Sequence, residues 1–329
     1  MPSGGIGRRV FGAGLCGALA GAGRRAAAQA RVPHVAFLWL GAAGSEGATL
    51  AGLRAGLRDA GYREGENIVI DEYYADGQEA LLADRAAEVV AARPDVIVAP
   101  GSATGRSVAR LTTTIPIVSV SGDPLAVGLV KSLSRPGGNI TGFTVQVGAE
   151  LAEKWLQVAL AIAPQGRTIA FLQKAQNPFA PSEMARLREA AAHLAGIAVD
   201  AYAISELGEL PSALAAIRDA KADALIVDLD PSLIAKTAAI VALAGAVPTI
   251  GGTREFAELG GLASYGASIF DIYRRGALYI DRILKGAKPG DLPIEQPTRF
   301  ELVINLRTAR AIGLALPPAL LAEADDTIE

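Results

Sequence analysis

From Val35 onward, short apolar runs alternate with longer stretches of helical periodicity. "VAFLWL" leads into "GATLAGLRAGLRDAG", "NIVIDEYYA" into "EALLADRAAEVVAA", "DVIVAP" into "ATGRSVARL", and "IPIVSVS" into "LAVGLVKSL". Apolar runs of four to seven residues without strict alternation suit strands covered on both faces. Strands that alternate with helices form a parallel sheet. The series then repeats. "GRTIAFLQKAQNPFAPSEMARLREAAAHLAGI" follows the layout of "VPHVAFLWLGAAGSEGATLAGLRAGLRDAGY", and "AKADALIVDLDPSLIAKTA" that of "ARPDVIVAPGSATGRSVA". "AVPTIGGTREFAELGG" likewise follows "TIPIVSVSGDPLAVGL". The expected fold is therefore α/β: two doubly wound parallel-sheet lobes, with a boundary near "RPGGNITGF", where Pro, Gly and Asn cluster. The C-terminal part reads as a long amphipathic helix, an extended run and a short helix, the makings of a hinge that crosses between lobes more than once. The divisions expected are a leader over 1–30, lobe one over 31–143, lobe two over 144–264 and a shared return segment over 265–329.

The N-terminal stretch has a different character. Gly12, Gly14 and Gly17 match G-x-G-x-x-G, but no apolar strand precedes them and no acidic residue occurs before Glu46. A dinucleotide turn needs both. What surrounds the glycines is Arg8-Arg9, a short small-residue apolar stretch, and Ala28-Gln29-Ala30. That is the order of an export signal with its A-x-A cleavage site. The apolar stretch is shorter than the roughly 20 residues a membrane span takes. The arginine pair suits the twin-arginine route, and the "AGL" before Cys16 does not suit a lipid anchor.

Composition narrows the chemistry. Cys16 is the only cysteine, so a processed chain has no disulfide, thiolate nucleophile or cysteine metal site. Net charge is −3, and loss of the leader's four arginines makes the remainder more acidic, without the basic stripe that nucleic acid requires. No G-x-S-x-G elbow, Ser/His/Asp order or zinc-type cluster is visible. The two histidines, His34 and His193, precede a strand and sit within a helical pattern.

Four stretches resemble a known family: "GLRDAGYREGENIVIDEYYADG", "RPDVIVAPGS", "TIPIVSVSGDPLAVGLVKSLSRPGGNITG" and "SYGASIFDIYRRGALYIDRILKGAKPGDLPIEQPTRFELVINLRTARAIGLALPP". They are similar to the solute-binding proteins of ABC transporters with the type I periplasmic-binding fold, whose characterised members include binders of tryptophan, phenylalanine and tyrosine. The likeness runs from about Val32 to Glu329. It implies a periplasmic, monomeric protein that captures a small molecule between its lobes and presents it to a membrane permease and its ATPase. Two loops depart from the family pattern: "PGSATG" stands where "GGTPAA" is common, and "LQKAQNPFA" where "WNPANP" is common, keeping Asn177. The ligand's identity stays open.

Ligands of doubly wound sheets lie outside the carboxyl ends of the strands, and two facing lobes would bring both sets of loops to one cleft. Ser102, Ala103 and Thr104 offer helix-start amides for a carboxylate; Ser102 or Thr104 could equally cap the helix. Asp123 and Asp228, together with Asp230, are acceptors suited to an ammonium or to hydroxyls, and Asp123 and Asp230 also suit Asx turns. Asn177 carries a donor and an acceptor, and Asn-Pro is also a turn initiator. Aromatic residues make up 5% of the chain. Trp39, Phe179 and Tyr265 at strand ends could stack on a flat ligand or meet an amine, whereas Phe256 and Trp155 read as core. Ser264 and Tyr265 fall where the chain returns between lobes. Amides beside carboxylates suit a zwitterion such as an amino acid. This reading needs no catalytic residue, cofactor or metal. The alternatives are a sensing domain that reports to a membrane receptor and, further off, an α/β hydrolase.

Overall fold

A computed structural model describes residues 31–145, 149–177, 180–194 and 196–329. The expected leader and Phe179 lie outside the described residues.

Two sheets carry the fold. The first contains β1 (His34–Trp39), β2 (Val69–Tyr74), β3 (Val96–Pro100), β4 (Ile117–Ser121) and β5 (Ile140–Thr144), all parallel, in the order β2-β1-β3-β4-β5. The second contains β6 (Thr168–Lys174), β7 (Ala198–Ile204), β8 (Ala224–Val227), β9 (Thr249–Gly251), β10 (Ala263–Ala267), β11 (Phe300–Asn305) and β12 (Asp326–Ile328). Its order is β7-β6-β8-β9-β10-β11-β12, and only β10 and β11 run antiparallel. The first five strands of each sheet are thus arranged alike, as the sequence repeat predicts. The helices are α1 (Gly47–Asp59), α2 (Glu79–Ala92), α3 (Ser102–Ala109), α4 (Ala149–Ile162), α5 (Ala180–His193) and α6 (Leu210–Asp219). They continue with α7 (Pro231–Ile234), α8 (Thr237–Ala244), α9 (Arg254–Glu258), α10 (Ile269–Leu284), α11 (Leu306–Ala311) and α12 (Pro318–Glu323).

Both faces of the central strands are covered, which is why they read as unbroken apolar runs. Val35 and Phe37 of β1 pack with Leu53 and Leu57 of α1 and Ile280 of α10. Their neighbours Ala36 and Leu38 point the other way, to Leu82 and Val89 of α2. Helix α10 is followed by Ile294 and Glu295, which stay with the first sheet: Ile294 N–H donates to the Leu133 carbonyl at 2.7 Å, and Glu295 exchanges backbone bonds with Gly142 and Thr144 at 3.0 Å each. The chain therefore passes between the sheets three times, after β5, after β10 and before β11. β5 ends at Thr144 and β10 at Ala267, and the first two crossings follow them.

One expected helix does not form. "LAVGLVKSL" folds as turns. The Asp123 carboxylate accepts the N–H groups of Leu125 and Ala126 at 3.0 Å, and the Pro124 carbonyl accepts those of Leu129 and Val130 at 2.9 and 3.2 Å. Gly128 adopts φ +71°, so local side-chain and turn bonds take the amides that a helix would use.

A buried asparagine joins the last part of the chain to the second sheet. Asn305 is the N-cap of α11; its side chain accepts from Thr308 N–H at 3.0 Å and donates to the Ala257 carbonyl at 2.8 Å. Asn305→Ala breaks both bonds, removing the cap and leaving the Ala257 carbonyl with the Gly260 N–H alone. A stability loss of about 2 kcal/mol in urea unfolding is expected.

Candidate functional site

At the carboxyl edge of the first sheet, three loops carry the expected residues. Trp39 ends β1, stacks on Phe37 with ring centroids 6.1 Å apart, and donates from Nε1 to Ser45 Oγ at 2.8 Å. After β3 the chain turns at Gly101, whose φ is +88°, and α3 begins at Ser102. Gly101 is the N-cap, so neither Ser102 nor Thr104 caps the helix with its side chain. The first-turn amides of Ser102, Ala103 and Thr104 have no acceptor within the helix. Thr104 is buried with its Oγ1 unpartnered, as is Ser121 Oγ at the end of β4. Asp123 spends one oxygen on its own turn.

The second sheet's carboxyl edge is more acidic. Asn177, after β6, donates from Nδ2 to Asp228 Oδ2 at 2.7 Å, and Asp228, after β8, is only 1% exposed. Its Oδ1 has no partner. Asp230 accepts from Ser232 N–H at 2.8 Å and so closes the turn into α7. Glu183, in the first turn of α5, faces Asp228 and buries Oε2 without a partner. Burial and the nearby Asp228 charge push its carboxyl up to about 8. Asp228 is raised as well, chiefly by burial, while its bonds to Glu183 and Asn177 pull the other way.

Gln173 Oε1 at the end of β6, Asp228 Oδ1 after β8 and Thr253 Oγ1 after β9 are buried without partners, as is Ser264 Oγ near the start of β10, where Ser264 pairs with Gly251. Folded proteins seldom leave buried polar atoms unpaired, which makes these oxygens candidates for hydrogen bonds to another molecule. Tyr265 follows Ser264 on the strand, so its side chain points to the face opposite that of Ser264, where it stacks on Phe300 at 5.9 Å and lies under Lys154 Nζ, 5.8 Å from the ring centre. Its carbonyl accepts Trp155 Nε1 at 2.7 Å. Trp155 and Phe256 are core residues.

Sequence reasoning missed Glu183. An acidic residue in a helix's first turn reads as a favourable charge at the dipole's positive end, and nothing in "APSEMARL" shows that it turns inward. Thr253 and Gln173 were missed for a similar reason: short polar residues at strand ends are ordinary turn formers. His34 bonds Asp71 Oδ2 at 2.8 Å across the edge of the first sheet and His193 is exposed near the end of α5. Among the described residues, no group of three or more His, Cys, Asp or Glu side chains is placed to hold a metal ion, and no helix is long and apolar enough to cross a membrane. A cavity of about 310 Å³ lined by Arg54, Tyr62 and Glu64 opens where α1 ends and β2 begins, away from the carboxyl edge. A second, of about 230 Å³, lies beside Ser268 and Arg299 at two of the chain crossings.

Comparison with known proteins agrees with this architecture. The family model described as ABC transporter substrate binding protein matches residues 42–328. A tyrosine-binding protein of Clostridioides difficile (strain R20291) is 27% identical over 262 residues, which cover 78% of this chain and 74% of that protein. A crystal structure of a conserved domain protein from Vibrio cholerae shares 30% identity with a TM-score of 0.80, covering 90% of this chain and all of the other. The ABC domain from Streptococcus pneumonia in complex with L-Trp shares 25% identity with a TM-score of 0.79, over 90% of this chain and 99% of that one.

Proposed function

From the ABC transporter substrate binding protein family, to which this chain belongs, we propose that it captures a small zwitterionic solute, an amino acid, between its two lobes for delivery to a membrane permease. The family is one of ligand binders rather than catalysts. The observation that carries the amino-acid reading is the pairing of chemistries at the two carboxyl edges. Uncapped amides of Ser102, Ala103 and Thr104 suit a carboxylate, and Asp228 with Asn177 and Glu183 suits an ammonium. Trp39 would flank the ligand's side chain, and Ser264 would supply a hydroxyl. Asp123 and Tyr265 take secondary places, the first as a turn former at the rim and the second as a brace for Trp155. The relatives named for tyrosine and solved with L-Trp favour an aromatic side chain. Residues 1–30 would direct export, and the site of action would be the periplasm.

Ligand binding to the folded form raises stability by mass action, by about 2.7 kcal/mol at a hundredfold excess over Kd. A thermal-shift screen across amino acids, purines and sugars tests the reading, with L-tyrosine and L-tryptophan expected to raise the melting temperature by several degrees. A shift with sugars or purines and none with amino acids would reject it.

A further inference from the structure

The proposed ammonium site contains two facing carboxyl groups. Asp228 Oδ2 is held by Asn177, but Asp228 Oδ1 and Glu183 Oε2 are buried without partners. Two carboxylates facing each other in a buried site repel, and Asp228 Oδ1 and Glu183 Oε2 would each lack a donor; one proton between them turns an orphaned pair of acceptors into a donor and an acceptor. The charges around them do not replace that proton. Asp230, on the loop after β8, adds repulsion; Arg186, one turn along α5, eases it; and from the β6 side Asn177 and the Lys174 backbone bond Asp228 alone.

We propose that Glu183 and Asp228 hold a single proton between them while the site is empty, and release it to solvent when the cationic group of a ligand takes its place. This rests on the amino-acid reading above and adds a regulation to it: capture is coupled to proton release. The raised carboxyl of Glu183, up to about 8, sets the range. Below it the empty protein keeps a proton that the liganded form gives up, so affinity rises with pH by up to about tenfold per unit and levels off above about pH 8. Stability of the empty protein runs the other way. The folded form holds a proton that the unfolded chain, with ordinary carboxyls, has already lost, so stability falls as pH rises from about 5 to about 8 and is flat beyond.

Two measurements on the full chain test this. Infrared spectra of the empty protein should show a protonated-carboxyl band that fades as pH rises through about 8. Glu183→Gln, a mimic of the protonated group, should fold, lack the band and lose the fall in melting temperature over the same range. Calorimetric titration with L-tyrosine and L-tryptophan near pH 6.5, in buffers of different ionisation enthalpy, should report about one proton released per ligand in the wild type and none in Glu183→Gln. Absence of the band, or its persistence unchanged in the variant, overturns the shared proton even if both amino acids bind. Binding without proton release overturns the exchange. Failure of both amino acids to bind while the band is present would sink the amino-acid reading, and with it the exchange of proton for cation.

Discussion

Asp228→Asn is expected to weaken amino-acid binding by about a hundredfold while leaving the empty protein as stable as before, or more so. The two effects have one cause. Asp228 is nearly fully buried, has one oxygen unpartnered, and is opposed by Glu183. Removing its charge relieves the empty site, and the loss of a desolvated charged bond to an ammonium costs about 2–5 kcal/mol of binding. Sites built for a ligand carry this signature of stability traded for function. Isothermal titration with L-tyrosine, beside urea unfolding of the unliganded protein, separates it from a structural role, for which affinity and stability would fall together. A variant that unfolds more easily than wild type would place Asp228 among the structural groups.

The second large effect lies far from the site. α1 and α10 touch through Gly52 and Gly56. A Cβ at Gly52 would sit 2.3 Å from the Phe270 carbonyl oxygen, and one at Gly56 would sit 2.1 Å from that of Arg274. Backbone cannot retreat as a flexible side chain can, so Gly56→Ala forces the helices apart and opens the layer made by Leu53, Leu57, Ala277 and Ile280. A loss of about 3 kcal/mol is expected, visible as a lower urea midpoint at unchanged slope. The double variant Gly52→Ala, Gly56→Ala should lose less than the sum of the single losses, because one displacement of α10 relieves both clashes. The polar contacts that flank the seam, Tyr62 to Asp281 at 3.0 Å and Arg274 to Asp59 at 2.7 Å, are too near the surface to hold it closed alone.

Much of this architecture is legible in the chain because burial on both faces gives β1, β3 and β4 their unbroken apolar runs, and because the second lobe repeats the first. Less legible is what depends on partners distant in sequence. The apolar stripe of α10 would suit either lobe, and its assignment to the first rests on partners distant in sequence: two glycines of α1 that let the helices touch, and Val35 and Phe37 of β1. The failure of "LAVGLVKSL" to form a helix turns on one carboxylate, Asp123, taking two amides. In the candidate site, Asn177 and Asp228 were accessible from their positions after β6 and β8. Glu183 was not, because a helical position alone does not say which way a first-turn acid faces. Ser264 and Tyr265, adjacent in sequence, part company for the simplest reason: strand neighbours face opposite ways.

The placement of α10 against β1 also bears on the order in which the protein is made. Val35 and Phe37, near the start of the chain, have one face covered jointly by α1 and by residues 269–284, near the chain's end. During synthesis the part of that face that α10 covers stays bare until the ribosome has released most of the polypeptide. The nascent chain therefore carries an exposed sticky surface for nearly its whole translation, a state suited to chaperone capture.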